Sequence, residues 1–379
     1  MSVALLSTEE VAARFPLTLA VIEKGKRQNL HFGVVASIRR GGAPFADFAV
    51  GEAADGLPLE TGHLMPWLSA GKPLTAVAIL RQVELGRLNL DRPVAEVIPE
   101  FAANGKHEIT LKHLLTHTAG LDPAPVGWPQ APWASITERI CERGVRNGFV
   151  VGQDAAYDPA RSWFVLGELL RRTDGRMPHE IVQNDICRPI GMASTWMAMT
   201  PAEYAANAER IGKVAARDDK GALKATHTWA ESFWTAPSPG SSMRGPVHEL
   251  ALFYEMLLRG GALNGTRILA PETVLQMTAR HREGRFDSTF QHQVDFGLGV
   301  LLDSNHYGAE TVPYGFGRHS SPQAFGHGGA QTSIGFCDPE HELVVAWVAN
   351  GAPGEAQHNR RNRDLNSAIY RDLGLGNDA

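Results

Sequence analysis

The stretch of sequence that decides the fold is 64–101, LMPWLSAGKPLTAVAILRQVELGRLNLDRPVAEVIPEF. We predict that a helix begins at Ser69 and ends near Gly86, with apolar residues recurring at helical spacing. Lys72 follows Ser69 by three residues, so the two side chains lie on one face of the first turn. The stretch therefore predicts a helix that presents a serine hydroxyl beside a lysine amine.

The Ser69–Lys72 pair has the chemistry of an activated nucleophile. A serine hydroxyl is a weak nucleophile until a base removes its proton, and a desolvated lysine can act as that base. The start of a helix adds positive potential and free N–H groups near the serine. The alternative is that Ser69 is an ordinary helix-capping serine with no catalytic role.

Outward from this stretch, the chain changes between helix and strand patterns. Residues 31–53, HFGVVASIRRGGAPFADFAVGEA, predict a hairpin that turns at Gly41–Gly42. The other predicted elements are an amphipathic helix over 8–27, mostly helical segments over 107–260, strands over 295–302 and 332–349 with a turn at Asp338–Pro339, and a last helix over about 359–372.

Strands from both ends of the chain must share one sheet if their apolar faces are to be buried. We therefore predict an α+β fold of the α/β sandwich type, in which helices flank an antiparallel sheet and a mostly helical subdomain is inserted. The predicted sheet domain comprises 1–62 and 285–379, and the predicted helical domain comprises 63–284. The active site is expected at the seam between them.

The composition excludes several classes of protein. The 379 residues are 43% hydrophobic and carry 36 Lys and Arg against 41 Asp and Glu, so the chain is globular and lacks the dense basic run that nucleic-acid binding needs. Three widely spaced cysteines argue against a disulfide framework. No apolar run of about 18 residues predicts a membrane span, and MSVALLSTEEVAARF shows no secretory leader, so we expect a cytoplasmic protein.

The stretch 64–101, followed by ITLKHLLTHTAGL at 109–121, resembles the serine β-lactamase/penicillin-binding-protein superfamily, and within it the class C β-lactamases and their esterase relatives. The resemblance continues in order along nearly the whole chain. The further matching segments are CRPIGMAST at 187–195, MRGPVHELALFYEMLLRGG at 243–261, RILAPETVLQMT at 267–278 and FGHGGAQTSIGFCDPEHELVVAWVAN at 325–350. It implies a β-lactamase/transpeptidase-like fold whose catalytic Ser-x-x-Lys motif is Ser69 and Lys72.

The second motif of this family is Tyr-x-Asn, and the matching segment is Tyr157-Asp158-Pro159. The resemblance implies that Tyr157 exchanges a proton with the leaving group beside Lys72. The asparagine that helps β-lactamases hold the substrate amide is missing, which puts antibiotic hydrolysis in doubt. The alternatives are that Tyr157 packs in the core at a helix entry and that Asp158 only caps that helix.

The third family motif is Lys-Thr-Gly, and the matching residues are His327, Gly328 and Gly329. By resemblance, the N–H groups of Ser69 and Ala330 form the oxyanion hole. Histidine in place of lysine supplies a weaker, pH-dependent donor, which favours an uncharged ester or amide over the carboxylate of a β-lactam. The alternative is a Gly-Gly bend beside a histidine that faces solvent.

Two further groups of residues have competing interpretations. His113 and His117 have the spacing of two zinc ligands on a helix, but they lack the glutamate of a zinc-protease motif, and the same string occurs in the resembled family without metal. We therefore expect no metal and no cofactor. Tryptophans in Pro/Gly-broken loops either line a substrate pocket or fasten the loops to the protein surface: Trp128, Trp133, Trp229 and Trp234.

Together these patterns predict a serine acyl-transfer enzyme that forms an acyl-Ser69 intermediate from a small-molecule ester or amide. Hydrolysis of the intermediate, as in a carboxylesterase or amidase, is the leading prediction for its fate. Transfer to an amine or alcohol acceptor in small-molecule biosynthesis is the first alternative. A β-lactamase or D-Ala peptidase, or a non-catalytic scaffold of the same fold, is the further one. We expect no nucleic-acid or membrane partner, and the oligomeric state stays open.

Overall fold

The computed structural model describes residues 5–54 and 56–376. Residues 1–4, 55 and 377–379 lie outside the described residues. They include parts of the predicted sheet domain and the start of the segment that was searched for a secretory leader. The division into a sheet domain and a helical domain stays a prediction.

The strands form one large sheet and several short pairs. In chain order they are β1 Gly33–Arg40, β2 Ala43–Gly51, β3 Met65–Pro66, β4 Ala215–Arg217, β5 Leu223–Ala225, β6 Arg244–Gly245, β7 Ala262–Leu263, β8 Thr266–Arg267, β9 Phe286–Asp287, β10 His292–Gln293, β11 Leu301–Leu302, β12 Phe325–Gly329, β13 Ser333–Asp338, β14 Leu343–Ala349 and β15 Gly351–Ala352. Six of them make the main sheet in the order β11-β12-β13-β14-β1-β2, with every neighbouring pair antiparallel.

Helices surround this sheet and fill the middle of the chain. They are α1 Thr8–Arg14, α2 Pro16–Arg27, α3 Lys72–Glu84, α4 Leu111–Leu115, α5 Trp133–Glu142, α6 Arg161–Asp174, α7 Pro178–Val182, α8 Pro201–Ala206, α9 Glu231–Thr235, α10 Val247–Leu258, α11 Pro271–Thr278 and α12 Glu355–Asp372.

The contact between β1 and β14 joins the two ends of the chain. Val34 pairs with Ala349 and Arg40 with Leu343, so the N-terminal hairpin continues the C-terminal strands. Along β14, alternate side chains enter two different cores, because successive residues of a strand point to opposite faces. Trp347 packs with residues of α2 and α12, whereas Ala346 packs with residues of α10. The predicted α+β fold built from both chain ends is confirmed.

Local differences from the predicted elements have simple causes. The helix predicted over 8–27 is two helices, because Pro16 cannot donate its backbone nitrogen and begins α2 anew after Phe15. The strand predicted over 295–302 is reduced to β11, since Gly299 has a φ of +76° and bends the chain before it. The last helix begins four residues earlier than predicted, at Glu355.

In the described part of the chain, no helix combines the length and the apolar character that crossing a bilayer requires.

Candidate active site

Ser69 lies in a short 3₁₀ turn, Leu68–Gly71, that leads directly into α3. The backbone of Leu68 is left-handed, with a φ of +52°, a conformation that is costly for a branched side chain. Gly71 lies against Met243, and a Cβ on this residue would come within 2.2 Å of the methionine side chain. The tight turn therefore fixes Ser69 just before the buried helix α3. The relative solvent exposure of Ser69 is 9%.

Lys72 is fully buried directly behind Ser69. Its Nζ donates to Ser69 Oγ at 3.0 Å, to the Pro159 carbonyl at 2.9 Å and to the Gly240 carbonyl at 2.6 Å. Among the described residues, no carboxylate lies within ion-pair distance of this amine. Burial lowers the pKa of Lys72 to about 7, against a smaller opposing effect of Asp158. A large fraction of Lys72 is thus neutral at physiological pH and can accept a proton.

Tyr157 lies on the other side of the serine. Its ring stacks on His117 and Phe290, with centroid distances of 4.6 and 4.7 Å, and its hydroxyl interacts with the Ser69 side chain. The Lys72 ammonium lies 5.4 Å from the ring centroid. Burial raises the pKa of Tyr157, so the phenol stays protonated at neutral pH.

The segment after Tyr157 is held by a structural carboxylate. Asp158 accepts hydrogen bonds from the backbone N–H groups of Arg161 and Ser162 at the start of α6. Its own N–H donates to Nδ1 of His117 at 2.9 Å. Pro159, which replaces the family's asparagine, offers its backbone carbonyl to Lys72 instead. Asp158 therefore caps α6 with its side chain, but it lies two residues before the N-cap residue Ala160, and Pro159 precedes the helix instead of taking its first position.

The predicted third motif forms β12 at the edge of the pocket. Gly329 passes so close to the serine turn that a Cβ would lie 2.3 Å from the Trp67 carbonyl. Gly328 lies under Tyr314, whose ring a Cβ would meet at 2.3 Å. Ala330 follows, one residue beyond the last paired position of β12, so its N–H lies outside the strand register. Two glycines are needed here because the backbone approaches its neighbours closely.

His327 differs from the sequence expectation. It is 1% exposed, so the solvent-facing alternative is wrong. Its Nδ1 lies 2.7 Å from the Gly328 carbonyl and therefore carries the proton, while Nε2 is buried without a partner among the described residues. Burial, assisted by Lys72, lowers the pKa of His327 to about 3. The ring is neutral at physiological pH and offers an acceptor, where the sequence led us to expect a pH-dependent donor.

These residues surround one pocket with a volume of about 440 Å³. The predicted residues Ser69, Tyr157, His327, Gly328 and Ala330 line it, whereas Lys72 lies behind Ser69 and Gly329 faces the serine turn. The remaining lining residues, most of them apolar, were not predicted: Pro159, Thr289, Phe290, Leu301, Pro313, Tyr314, Glu355 and Asn359.

Four of the nine non-glycine residues that have left-handed backbone in the described part of the chain lie beside this pocket. Besides Leu68, the non-glycine residues His117, Tyr314 and Gln331 have φ values of 57°, 54° and 55°. Such conformations persist only where the surrounding structure imposes them, and they occur preferentially at functional sites. Leu68 belongs to the serine turn, and His117 packs on Tyr157. Tyr314 lines the pocket, and Gln331 is the residue after Ala330.

A buried ion pair supports Tyr157, and the sequence analysis did not predict it. Asp287 accepts the backbone N–H of Tyr157 at 3.0 Å, and Arg282 donates to Asp287 at 3.0 Å. Both side chains of the pair are fully buried. Arg282 also lies over Phe296, 4.1 Å from the ring centroid. A sequence pattern has little to say about this pair, because neither residue belongs to a motif.

The structure shows the contacts of the two groups whose roles the sequence left open, the histidine pair of α4 and the four tryptophans. His113 accepts the Thr110 N–H at the start of α4, and no group of three or more candidate metal ligands comes together in the described residues. The loop tryptophans do not line the Ser69 pocket in the described part of the chain. Each indole instead donates to another part of the protein, and Trp133 and Trp234 lie on α5 and α9 and not in loops: Trp128 to Ala236, Trp133 to Glu168, Trp229 to Val214 and Trp234 to Thr228.

Comparison with known proteins agrees with this geometry. A family model described as Beta-lactamase matches residues 19–368, and the chain therefore belongs to the beta-lactamase family, within which it is a serine hydrolase. The family predicted from the sequence is confirmed.

Three relatives illustrate the range of this family. Esterase/beta-lactamase LipL of Mycobacterium tuberculosis is 24% identical over 308 residues, which are 74% of this chain and 68% of that protein. The crystal structure of a family VIII carboxylesterase has a TM-score of 0.79 at 22% identity and covers 98% of this chain and 99% of that one. EstCE1, a hydrolase with promiscuous acyltransferase activity, has a TM-score of 0.77 at 20% identity, with coverages of 96% and 100%. The two structures show the same fold.

Proposed function

We propose that the protein is a carboxylesterase-type enzyme that forms an acyl-Ser69 intermediate from a small-molecule ester and hydrolyses it. One observation carries the proposal: the buried Lys72 amine lies 3.0 Å from Oγ of Ser69, which lines a largely apolar pocket, and no carboxylate among the described residues pairs with it. The esterase names among the relatives support the substrate class.

In the acylation step, neutral Lys72 removes the Ser69 proton while Oγ bonds to the ester carbonyl carbon. The resulting oxyanion accepts hydrogen bonds from the N–H groups of Ser69 and Ala330. When the carbon–oxygen bond to the alcohol breaks, the Tyr157 hydroxyl gives its proton to the departing alkoxide and is reprotonated from the Lys72 ammonium. The products of this step are the free alcohol and acyl-Ser69.

In the hydrolysis step, the same groups act in reverse. A water molecule gives its proton through Tyr157 to Lys72 while its oxygen bonds to the acyl carbon. Ser69 Oγ then leaves that carbon and recovers a proton from Lys72. The carboxylic acid departs, and the starting enzyme is restored.

Acyl transfer is the second candidate function, and the apolar lining of the pocket favours it. Apolar walls such as Phe290 and Leu301 allow an alcohol or amine acceptor to compete with water for the acyl-enzyme. The described hydrolysis–transfer promiscuity of EstCE1 points the same way. Amide substrates and residual β-lactamase activity rank below esters, because Pro159 and a neutral His327 stand where the family holds an amide and a carboxylate. The cytoplasmic location stays a prediction.

The experiment is intact-mass measurement after incubation with a fluorophosphonate and with p-nitrophenyl esters. We expect one covalent adduct on the parent protein and none on Ser69→Ala. Addition of amine and alcohol acceptors, with mass spectrometry of the products, separates hydrolysis from transfer. Equal labelling of the parent and Ser69→Ala would overturn the nucleophile, and an unlabelled parent would favour the non-catalytic scaffold.

A further inference from the structure

The pocket beside Ser69 is electrostatically one-sided. Among the described residues that line it, Glu355 is the one charged side chain, because His327 is neutral at physiological pH. Glu355 is exposed and begins α12. The Lys72 amine lies behind Ser69 and outside the lining. A substrate in the pocket therefore meets a carboxylate and no cationic side chain.

The Glu355 carboxylate is held in place by neutral donors. Its Oε2 accepts the Tyr314 hydroxyl at 2.8 Å, and its Oε1 lies 3.3 Å from the Gln331 amide nitrogen. The same Tyr314 hydroxyl accepts the backbone N–H of Gln331, the residue after Ala330. Neither partner neutralises the charge. Glu355 is thus connected through Gln331 to the residue proposed for the oxyanion hole, and its charge raises the pKa of Tyr157 and Tyr314 as a contributing cause.

Three polar side chains of the pocket lining use their donors on the protein itself, whereas Asn359 is engaged through its oxygen, which accepts the Tyr314 N–H. The Thr289 hydroxyl donates to the Tyr157 carbonyl, the Tyr314 hydroxyl to Glu355, and His327 Nδ1 to Gly328. Acceptors remain: the Glu355 carboxylate and the unpartnered, buried Nε2 of His327. A buried acceptor without a partner is costly, and a ligand that donates a hydrogen bond removes that cost.

We propose that the pocket selects small esters that carry a cationic ammonium group, with Glu355 as the specificity-determining residue. The inference rests on the proposed esterase function. An ammonium group on a short apolar chain matches both properties of the pocket, because the chain packs on Phe290 and Tyr314 while the charged end meets the carboxylate. An acyl group that ends in a carboxylate is repelled.

The test compares p-nitrophenyl esters of three acids with similar length: 6-aminohexanoate, heptanoate and the half-ester of adipate. We expect the parent enzyme to prefer the cationic over the anionic ester by about 100-fold in kcat/KM, about tenfold on each side of the neutral ester, as one charge contact at a partly exposed site allows. A second pair, the acetate esters of 5-aminopentan-1-ol and hexan-1-ol, places the charge on the alcohol side instead.

The discriminating variant is Glu355→Gln, which keeps the hydrogen-bonding shape of the side chain. We expect it to reduce the cationic-to-anionic ratio by at least about tenfold. Glu272→Gln is the matched control, because Glu272 is also an exposed acid in the first turn of a helix that begins near a proline, and it should leave the ratio unchanged. In the parent, raising the salt concentration from 20 mM to 500 mM should weaken the preference.

The outcomes separate the two proposals. If the heptanoate ester is not hydrolysed in a Ser69-dependent way, the proposed function fails and the inference fails with it. If heptanoate is hydrolysed but neither the acyl pair nor the alcohol pair favours the cation, the inference alone is overturned. An unchanged ratio in Glu355→Gln, or a preference that does not respond to salt, also overturns it.

Discussion

Two buried lysines of this protein have almost the same surroundings. Lys72 and Lys106 are both fully buried, both donate three hydrogen bonds to oxygen atoms, and both lie over an aromatic ring. Burial lowers the pKa of each. Their partners differ in one respect. Lys106 donates to three backbone carbonyls, those of Ala103, Cys141 and Arg143, whereas one partner of Lys72 is the Ser69 hydroxyl.

The hydrogen-bond partners of the two lysines decide whether a buried amine can act as a base. Carbonyl oxygens accept hydrogen bonds but have no proton to give, so Lys106 can only fasten the chain before α4 to the end of α5. A hydroxyl partner can be deprotonated by a neutral amine. Lys72 therefore has a reaction available to it, and Lys106 has a structural role.

The largest expected effect is that of Lys72→Met on acylation. Methionine keeps much of the side-chain volume but removes the base, and we expect the rate of p-nitrophenol release to fall by about 10⁴-fold. Stopped-flow measurement of the first turnover checks this, with circular dichroism to show that the variant is folded. A folded Lys72→Met protein with the parent's rate would remove Lys72 from the mechanism.

Tyr157→Phe should have the next largest effect. Loss of the hydroxyl removes the proton donor to the leaving group but keeps the ring stack on His117, so we expect a decrease of about 10² to 10³ in kcat. Esters with good leaving groups need less protonation and should be less affected. The kcat/KM values for p-nitrophenyl and ethyl esters of one acid, which report acylation and not the shared hydrolysis step, measure this, and an equal loss of kcat/KM for both would contradict the assigned role.

Lys106→Met should act on stability and leave catalysis intact. One buried and two partly buried carbonyls lose their common donor, so we expect the free energy of unfolding to decrease by about 2 kcal/mol. Urea unfolding measures the change, and kcat with a p-nitrophenyl ester should stay within about twofold of the parent value. A large loss of kcat at unchanged stability would mean that the contrast between the lysines is wrong.

The smallest expected effect is the pH dependence near neutrality. The active form of Lys72 is neutral and its pKa is about 7, so activity is complete above that pH and is lost as pH falls through it. Below the pKa, kcat should fall about tenfold for each pH unit. His327, with a pKa of about 3, does not contribute to this limb. His327→Gln should therefore shift neither its midpoint nor its slope.

The sequence predicted those parts of the site that depend on local spacing or on a motif. Ser69 lies in the 3₁₀ turn three residues before Lys72, the first residue of α3, and the motif residues Tyr157 and Ala330 reach the same pocket. The other two hydrogen-bond partners of Lys72 could not be found in this way. Pro159 and Gly240 act through backbone carbonyls, which every residue has and which therefore leave no pattern.

The fold shows the same division. Alternating and helical periodicity predicted the hairpin of β1 and β2 and the sharing of one sheet by both chain ends. The break between α1 and α2 at Phe15 could have been predicted from Pro16, which cannot donate a backbone hydrogen bond. Glu355 was missed because the last helix was predicted to begin after it, which hid its position at the rim of the pocket.

The central claim is that Lys72 is a neutral base at physiological pH, and the most direct test is an NMR titration. The chain has eight lysines, so ¹³C-labelling of lysine gives a small set of Cε resonances, and the one absent from Lys72→Met belongs to Lys72. We predict that this resonance titrates with a pKa of about 7. A midpoint near roughly 10.4, the ordinary value for a solvated lysine, would contradict the account.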